Sequence, residues 1–447
     1  MIELENAVVF HGSNLDVLPT LPDNSVDAIV TDPPYELGFM GKSWDSSGIA
    51  YSVELWAECL RVLKPGGHLL AFGGSRTWHR IAVAIEDAGF DVRDSIAWLY
   101  GSGFPKSLDI SKAIDKAAGA EREVVGEKIS PDGVPYAARR INNSGPSMGG
   151  NAFGEYGNNG SDITAPATDE AKKWQGWGTA LKPAFEPIVV ARKPLVGTVA
   201  ANVLLWGVGG LNIDGSRIGT TDSFGGGAKG KSGFAAGYDG DGWTAGSDKG
   251  RWPANIILDE YTAGLLDEQA PATGAFAKVK SGHSGKSQGI YGDYEQRGDD
   301  GATFYGDGLG GASRFFYVAK ASKKDRNEGL ENLEAKANSK FAQDTWSLEN
   351  MSFGKTTAAQ NFHPTVKPTA LMEYLVKLVT PPGGTVLDPF TGSGSTGKAA
   401  LLNGFKFIGI ELTADYLPII EGRLKHAAET YANQAKEEET KEQETLF

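Results

Sequence analysis

The chain has 447 residues, 40% of them hydrophobic, with one cysteine and a formal net charge of −13. That length exceeds one ordinary core and points to two or three structural units. No run of about 18 apolar residues occurs, so no membrane span is expected, and the opening MIELENAVVFHGS has no basic start followed by an apolar stretch, so no secretion signal is expected. The lone Cys59 excludes an internal disulfide and a cysteine-based zinc site, and a reducing cytoplasm fits best.

Residues 1–115 alternate strand-like and helix-like segments. VDAIVTDPP is a β-rich run stopped by two prolines, and SVELWAECLRVL has apolar positions at helical spacing, with KPGG as its stop. HLLAFGG reads as a strand, RIAVAIEDAGF as a helix ending near Gly89, and DSIAWLY as a strand. This rhythm predicts an α/β fold with a doubly wound, mostly parallel sheet.

The stretch 116–314 is rich in Gly, Ser, Asn and Asp and reads as an inserted module with mobile loops; EPIVVARKPL and WPANIILD are strand-like islands inside it. The α/β rhythm returns over 315–425. RFFYVAKAS, GTVLDPF and FKFIGIEL are strand-like; TALMEYLVKLVT, STGKAALLNG and the segment from Asp415 to Lys436 are helix-like. One α/β fold is thus expected in two halves, 1–115 and 315–425, separated by the insert and followed by an acidic tail, 426–447, whose end is expected to be disordered. From His426 to Phe447 that tail carries six glutamates against two lysines. Net acidity disfavours a polyanionic partner, but basic residues cluster locally at Arg139–Arg140, at Arg192–Lys193, and at Lys320, Lys323, Lys324 and Arg326.

Two segments carry chemistry. In TVLDPFTGSGSTGKAALLNGFKFIGIEL a strand ends at Asp388, a turn with Gly392 and Gly394 follows, and a second strand ends at Glu411, 19 residues after Gly392. In doubly wound sheets ligands sit at the carboxyl ends of strands, glycines let backbone approach the ligand, and an acid at the next strand tip accepts ribose hydroxyls. Gly392 to Lys398 also matches most of a phosphate-binding P-loop, but Ala399 stands where that motif needs Ser or Thr. Asp388-Pro389 ahead of the loop suits a cationic ligand such as S-adenosylmethionine better than a triphosphate. The second segment is Thr31-Asp32-Pro33-Pro34-Tyr35, at the tip of the first clear strand. The lone pair of an exocyclic base amine is delocalised into its ring. A carboxylate (Asp32) and a carbonyl (Pro33) accepting its two N–H groups would localise that pair and stabilise the charge that develops. The prolines, Pro33 and Pro34, hold the geometry, and the Tyr35 ring can stack on the base. Cys59 lies on an apolar helix and reads as core.

Here the sequence resembles the DNA amino-methyltransferases of the N6-adenine and N4-cytosine type, over about 1–115 and 315–425. Asp32-Pro33-Pro34-Tyr35 is similar to that family's catalytic tetrapeptide. Asp388-Pro389-Phe390 with Gly392 and Gly394 resembles its cofactor loop, and Glu411 its ribose-binding acid. His363-Pro364-Thr365-Val366-Lys367-Pro368 resembles the segment that lines the methionine pocket, which implies cofactor contacts from Thr365 and Lys367. Catalytic motif before cofactor motif is the order of the permuted β group. The departure is Gly12-Ser13, where the family has Gly-Asp or Gly-Asn.

The resemblance implies S-adenosyl-L-methionine as cofactor, no metal, double-stranded DNA as partner, and target recognition in 116–314. Asp at position 32 leans to adenine N6 over cytosine N4. WGVGGLNIDGSRIG and GRWPANIILD resemble segments of phage-borne members. An RNA or protein methyltransferase and a non-catalytic DNA-binding protein stay open as alternatives. The motif order argues against the first, and intact Asp32 and Tyr35 argue against the second. Gln443-Glu444-Thr445-Leu446-Phe447 resembles the short peptide by which bacterial proteins dock onto the replication sliding clamp.

Overall fold

The computed structural model describes residues 1–37, 43–103, 107–129, 162–219, 250–270, 287–289, 292–294, 311–319, 323–337 and 358–445. The chain divides into two compact units, one formed by residues 1–102 with 184–447 and the other by residues 103–183.

The larger unit is built on a ten-stranded sheet. In chain order its strands are β1 (Ile2–Leu4), β2 (Ala7–His11), β3 (Val26–Thr31), β4 (Leu63–Phe72), β5 (Asp91–Leu99), β6 (Phe185–Arg192), β7 (Ile256–Asp259), β8 (Tyr317–Ala319), β9 (Thr385–Asp388) and β10 (Lys406–Glu411). The spatial order is β1-β2-β10-β9-β3-β4-β6-β5-β7-β8. Every neighbouring pair is parallel except those made by β1 with β2 and by β6 with β4 and β5. The doubly wound, mostly parallel sheet expected from the sequence is therefore present. All six residues of β3 are buried, as a strand covered on both faces requires.

Helices α1 (Val53–Val62), α2 (Trp78–Asp87), α3 (Thr369–Val379), α4 (Ser395–Leu402) and α5 (Leu417–Thr445) accompany the strands. Two apolar clusters form the core. In one, Leu371, Leu375, Phe407 and Leu424 pack with Val30 and Phe72; in the other, Trp56, Cys59 and Ile81 pack with Ile29 and Leu69. Cys59 is fully buried, and burial pushes its thiol far above the usual range, so it is core, as read.

The structure departs from the sequence reading in three places. Strands β6 and β7, drawn from within 116–314, are members of the main sheet, and β6 is buried through its centre. Its unbroken apolar run IVVA marked a strand covered on both faces. KPGG ends α1 as expected but is itself part of β4, where the Gly66 amide donates to the Lys193 carbonyl (3.0 Å) and the Lys193 amide to the Gly67 carbonyl (2.9 Å). The tail, expected to be disordered at its end, is helical as far as Thr445. Its Glu- and Lys-rich composition has favourable helix propensity, and α5 is already anchored by buried Ile419, Ile420 and Leu424.

In the smaller unit, helix Ile110–Ala117 accompanies an antiparallel pair, Val124–Glu127 with Asp162–Thr164. Buried Asp115 organises it, pairing with Arg122 and accepting the amides of Ala167 and Thr168, both at 3.0 Å.

Candidate active site

Strands β9 and β3 are adjacent and parallel, with Val386 beside Ala28 and Leu387 beside Ile29. That register carries Asp388 and the Thr31–Asp32 tip to the same edge of the sheet. Chain order reverses between these strands, which is where open α/β sheets bind ligands. The two tips are joined directly: the Thr31 hydroxyl donates to Asp388 Oδ1 at 2.6 Å, both groups being buried.

The cofactor-side motif forms a tight turn. Gly392 and Gly394 have φ of 55° and 77°, left-handed values that glycine adopts without penalty. A Cβ on Gly392 would lie 3.1 Å from His363 Nε2, so the loop is packed as well as turned. Glu411 closes it from the tip of β10, accepting the amides of Gly392 and Thr413, each at 2.7 Å, on its two oxygens. Burial raises the Glu411 carboxyl against these bonds. Burial also pushes Asp388 up to about 6, against the Thr31 and Thr396 hydroxyls and the Phe390 amide. His363 Nδ1 lies 2.5 Å from the Thr365 carbonyl and 3.3 Å from the Thr365 amide, which leaves Nε2 on the loop side. Burial lowers this imidazole to about 4, which keeps it neutral.

Lys398, the residue a P-loop would aim at phosphates, is buried and turned away. Its Nζ lies 2.6 Å from Asp325 and 2.9 Å from Glu328. The loop is thus lined by carboxylates and a neutral imidazole. The P-loop lysine is thus not available to a triphosphate, whereas a cationic ligand has acidic partners.

Arg423, on α5, braces the loop from behind and was not singled out from the sequence. It is fully buried, and its Nη1 donates to the Ser393 carbonyl (2.8 Å), Ser393 Oγ (3.1 Å) and Ser395 Oγ (3.0 Å). Ser395 Oγ in turn donates to the Lys367 carbonyl at 3.1 Å, tying the 363–368 segment to the loop.

The second motif is fixed just beyond β3. Thr77 Oγ1 donates to the Tyr35 carbonyl at 2.8 Å. Glu36, with φ of 54°, turns the chain and accepts the Gly48 amide at 2.7 Å. A non-glycine residue in this region stores on the order of 1–3 kcal/mol of strain, a common feature of functional sites.

Around Asp32 four side chains meet. The Tyr35 hydroxyl lies 3.0 Å from Asp32 Oδ1 and 2.9 Å from Glu186 Oε2. Lys367 Nζ lies 2.7 Å from Asp32 Oδ2, 3.1 Å from the Tyr35 oxygen and 3.3 Å from Glu186 Oε2. Tyr35 has one proton for two carboxylates, while its oxygen accepts from Lys367. Burial, then the charges of Asp32 and Glu186, hold the Tyr35 phenol well above its usual range. Burial opposes the Lys367 charge, but the two carboxylates outweigh it and raise its affinity for a proton. Burial also raises the Glu186 carboxyl, against the pull of Lys367.

The sequence-selected residues therefore fall into two groups. Asp32, Pro33, Pro34 and Tyr35 stand at one strand tip; Asp388, Pro389, Phe390, Gly392, Gly394 and Glu411 surround the other. Thr365 is exposed at the segment's turn. Lys367, chosen for the cofactor side, has its ammonium on Asp32. Glu186 was missed; its only sequence signal is an acid before Pro187 at the head of an apolar strand. Three residues of the basic clusters are engaged within the fold. Lys193 donates to Asn24 and to backbone carbonyls, Arg326 to the carbonyls of Asn361 and His363, and Arg192 pairs with Asp91. Arg139, Arg140 and Lys320 lie outside the described residues. Among the described residues no group of His, Cys, Asp and Glu has metal-site geometry, and no helix is long and apolar enough to cross a membrane.

A DNA methylase family model matches residues 26–118 and 294–422, which hold both motifs. Among curated proteins the chain is 36% identical over 89 residues to the type II methyltransferase M.ScaI of Streptomyces caespitosus, a match covering 20% of this chain and 29% of that protein. It is 46% identical over 66 residues to the DNA adenine methyltransferase YhdJ of Escherichia coli strain K12, covering 15% of this chain and 22% of the relative. These matches span less than a third of the relatives' own length. Among solved structures it is similar to PvuII DNA methyltransferase (cytosine-N4-specific), with a TM-score of 0.40 and 13% identity over 96% of this chain and 92% of that one. By the family match and the curated relatives, this chain is similar to DNA methyltransferases of the N6/N4 family.

Proposed function

We propose that this chain transfers a methyl group from S-adenosyl-L-methionine to an exocyclic amine of a base in double-stranded DNA, the N6 of adenine. The observation that carries the reading is the Thr31–Asp388 bond, which joins an amine-accepting strand tip to an acidic, glycine-turned loop at the sheet's switch point. When bound, the cofactor supplies an electrophilic methyl group on a sulfonium. The residues present fit it: each Glu411 oxygen uses one acceptor site on a backbone amide and keeps another for a ribose hydroxyl. Asp388 and neutral His363 give a cationic ligand a carboxylate and an uncharged polar neighbour.

The chain's own residues then act on the base. Asp32 and the Pro33 carbonyl accept the two amine N–H groups, drawing the lone pair out of conjugation and stabilising the charge that grows on nitrogen. The Tyr35 hydroxyl is held by Asp32 and Glu186, which fixes its ring as a stacking surface. A base inside a duplex cannot reach such a pocket, so the target is unstacked first, at a few kcal/mol. The preference for adenine rests on Asp at position 32. We also read the catalytic-first motif order as the permuted, phage-borne type, residues in 116–314 as the target-recognition region, and Gln443–Phe447 as a sliding-clamp ligand. Leu446 and Phe447 lie outside the described residues.

The test is methyl transfer from labelled cofactor to unmethylated DNA, to RNA and to protein. Label in DNA alone is expected. Label only in RNA or protein would replace this reading with one of its alternatives, and label in no substrate would favour a non-catalytic binding protein.

A further inference from the structure

In the reading above Glu186 only helps to hold the Tyr35 hydroxyl, yet it is a carboxylate set within the cluster that holds Asp32. Its strand, β6, runs antiparallel between β4 and β5 and places Glu186 beside Trp98. Its side chain is largely buried and its Oε2 contacts both Tyr35 and Lys367. Withdrawing a second carboxylate from water beside the first is unfavourable unless its charge is used.

The charges on the page show that use. Lys367 sits 2.7 Å from Asp32 Oδ2, on the carboxylate that must accept the target amine. The amine becomes more positive as it reacts. An ammonium paired with Asp32 alone would cancel the acceptor's charge and repel the developing cation. Removing the ammonium is no remedy. Asp32 and Glu186 would then face each other across one Tyr35 proton, and like charges so placed drive one of the two to take up a proton. With all three ionised the cluster carries one net negative charge. Lys367 offsets the repulsion between the two carboxylates, and Glu186 keeps Lys367 from neutralising Asp32.

We propose that Glu186 is a positioning residue that serves as the counter-ion of Lys367, leaving Asp32 its charge for the target amine. This rests on the reading that Asp32 accepts the amine. It predicts a specific non-additivity. Glu186→Gln brings the cluster to zero net charge and disables Asp32, whereas Glu186→Gln combined with Lys367→Met returns it to one negative charge, located on Asp32. Lys367 lies 4.9 Å from the Phe72 ring centre and 5.4 Å from that of Tyr35, an apolar setting that accepts methionine.

The experiment measures two quantities for wild type, Glu186→Gln, Glu186→Asp, Lys367→Met and the double variant. One is methyl transfer to DNA from a methylation-deficient bacterial host. The other, without cofactor, is binding of 2′-deoxyadenosine by saturation-transfer NMR. Glu186→Gln is expected to lower kcat by about 10²-fold, the size typical of losing one preorganised electrostatic group, with the KM for S-adenosylmethionine unchanged. The double variant should recover about tenfold of that loss, the coupling expected of groups in contact, and deoxyadenosine binding should follow the same order. Glu186→Asp, which keeps the charge, should outperform Glu186→Gln; this comparison stands even if variants lacking Lys367 do not fold. A double variant no better than Glu186→Gln, with Glu186→Asp equally impaired, would show a structural role and overturn the proposal, as would wild-type turnover by Glu186→Gln. If Asp32→Ala keeps both deoxyadenosine binding and methyl transfer, the failure lies with the Asp32 reading, and the Glu186 comparison falls with it.

Discussion

Two sets of carboxylates, one half-buried and one buried, meet at the switch point of the sheet, and they are balanced differently. Around Asp32 a resident cation, Lys367, touches both acids and the tyrosine between them. Around Asp388 and Glu411 the hydrogen bonds come from hydroxyls and backbone amides, and the nearby cation, Lys398, is paired elsewhere. A carboxylate beside a cation has part of its charge offset before any ligand arrives. One held only by neutral donors is raised by burial, as Asp388 is, and gains stability when a cationic ligand arrives. On the proposed function, the first set binds a neutral amine that becomes positive only during reaction. On the same proposal, the second binds a ligand already charged.

The largest expected effect separates the two sets. Asp32→Ala should reduce methyl transfer by at least about 10²–10³-fold while calorimetric affinity for S-adenosylmethionine stays near that of wild type. Loss of cofactor binding in this variant would merge the two sites and break the comparison.

Glu411→Ala is expected to do the reverse. Losing the acceptor of two ribose hydroxyls should weaken cofactor binding by about 1.5–3 kcal/mol, with DNA affinity unchanged in a gel-shift titration. Unaltered cofactor affinity would take Glu411 out of the site.

The pH dependence sharpens the contrast further. With the Asp388 carboxyl raised from 3.8 to about 6, the folded protein holds a proton in that interval that the unfolded chain has already released. Stability without cofactor therefore falls as pH rises through the interval. A cationic cofactor selects the ionised form, so its affinity should rise with pH up to about 6 and then level. The slope approaches about tenfold per pH unit below the carboxyl's midpoint. Asp388→Asn should flatten that step in calorimetric titrations. A step that survives in the variant would belong to another group.

The smallest effect concerns the link between the two sets. Thr31→Val keeps the shape and deletes the donor to Asp388, at a cost of about 1 kcal/mol in denaturant unfolding. It should also move the cofactor-affinity step to higher pH, because the hydroxyl favours the ionised carboxylate. Stability loss with no displacement of the step would make Thr31 structural only.

Much of this was legible in the sequence because the chemistry is local. Asp32 to Tyr35 and Asp388 to Gly394 are contiguous, and a strand that stops at a proline or a glycine turn marks its own tip. Glu411 was found by spacing from Gly392. Glu186, Asp325 and Arg423 were not legible, since each acts on residues far away in the chain. Glu186 reaches Tyr35 across 151 positions, and no periodicity records such a meeting. Lys367 was selected but expected on the cofactor side: the segment's backbone does adjoin the loop, through Ser395, while the long side chain extends to the other cluster. Strand β6 looked like an island because glycine-rich sequence precedes it, although its apolar run was that of a central strand. The P-loop likeness of Gly392 to Lys398 disappears once Lys398 is seen paired with Asp325 and Glu328.

The central claim is that Asp32 makes the amine of a DNA base reactive. The most direct test is nucleoside analysis by mass spectrometry of DNA from a methylation-deficient host expressing either the wild-type chain or Asp32→Ala. The account predicts N6-methyl-2′-deoxyadenosine with the wild type and none above background with the variant. N4-methyl-2′-deoxycytidine in its place would transfer the same mechanism to the other base, whereas methylated nucleoside at equal levels from both proteins would contradict the account.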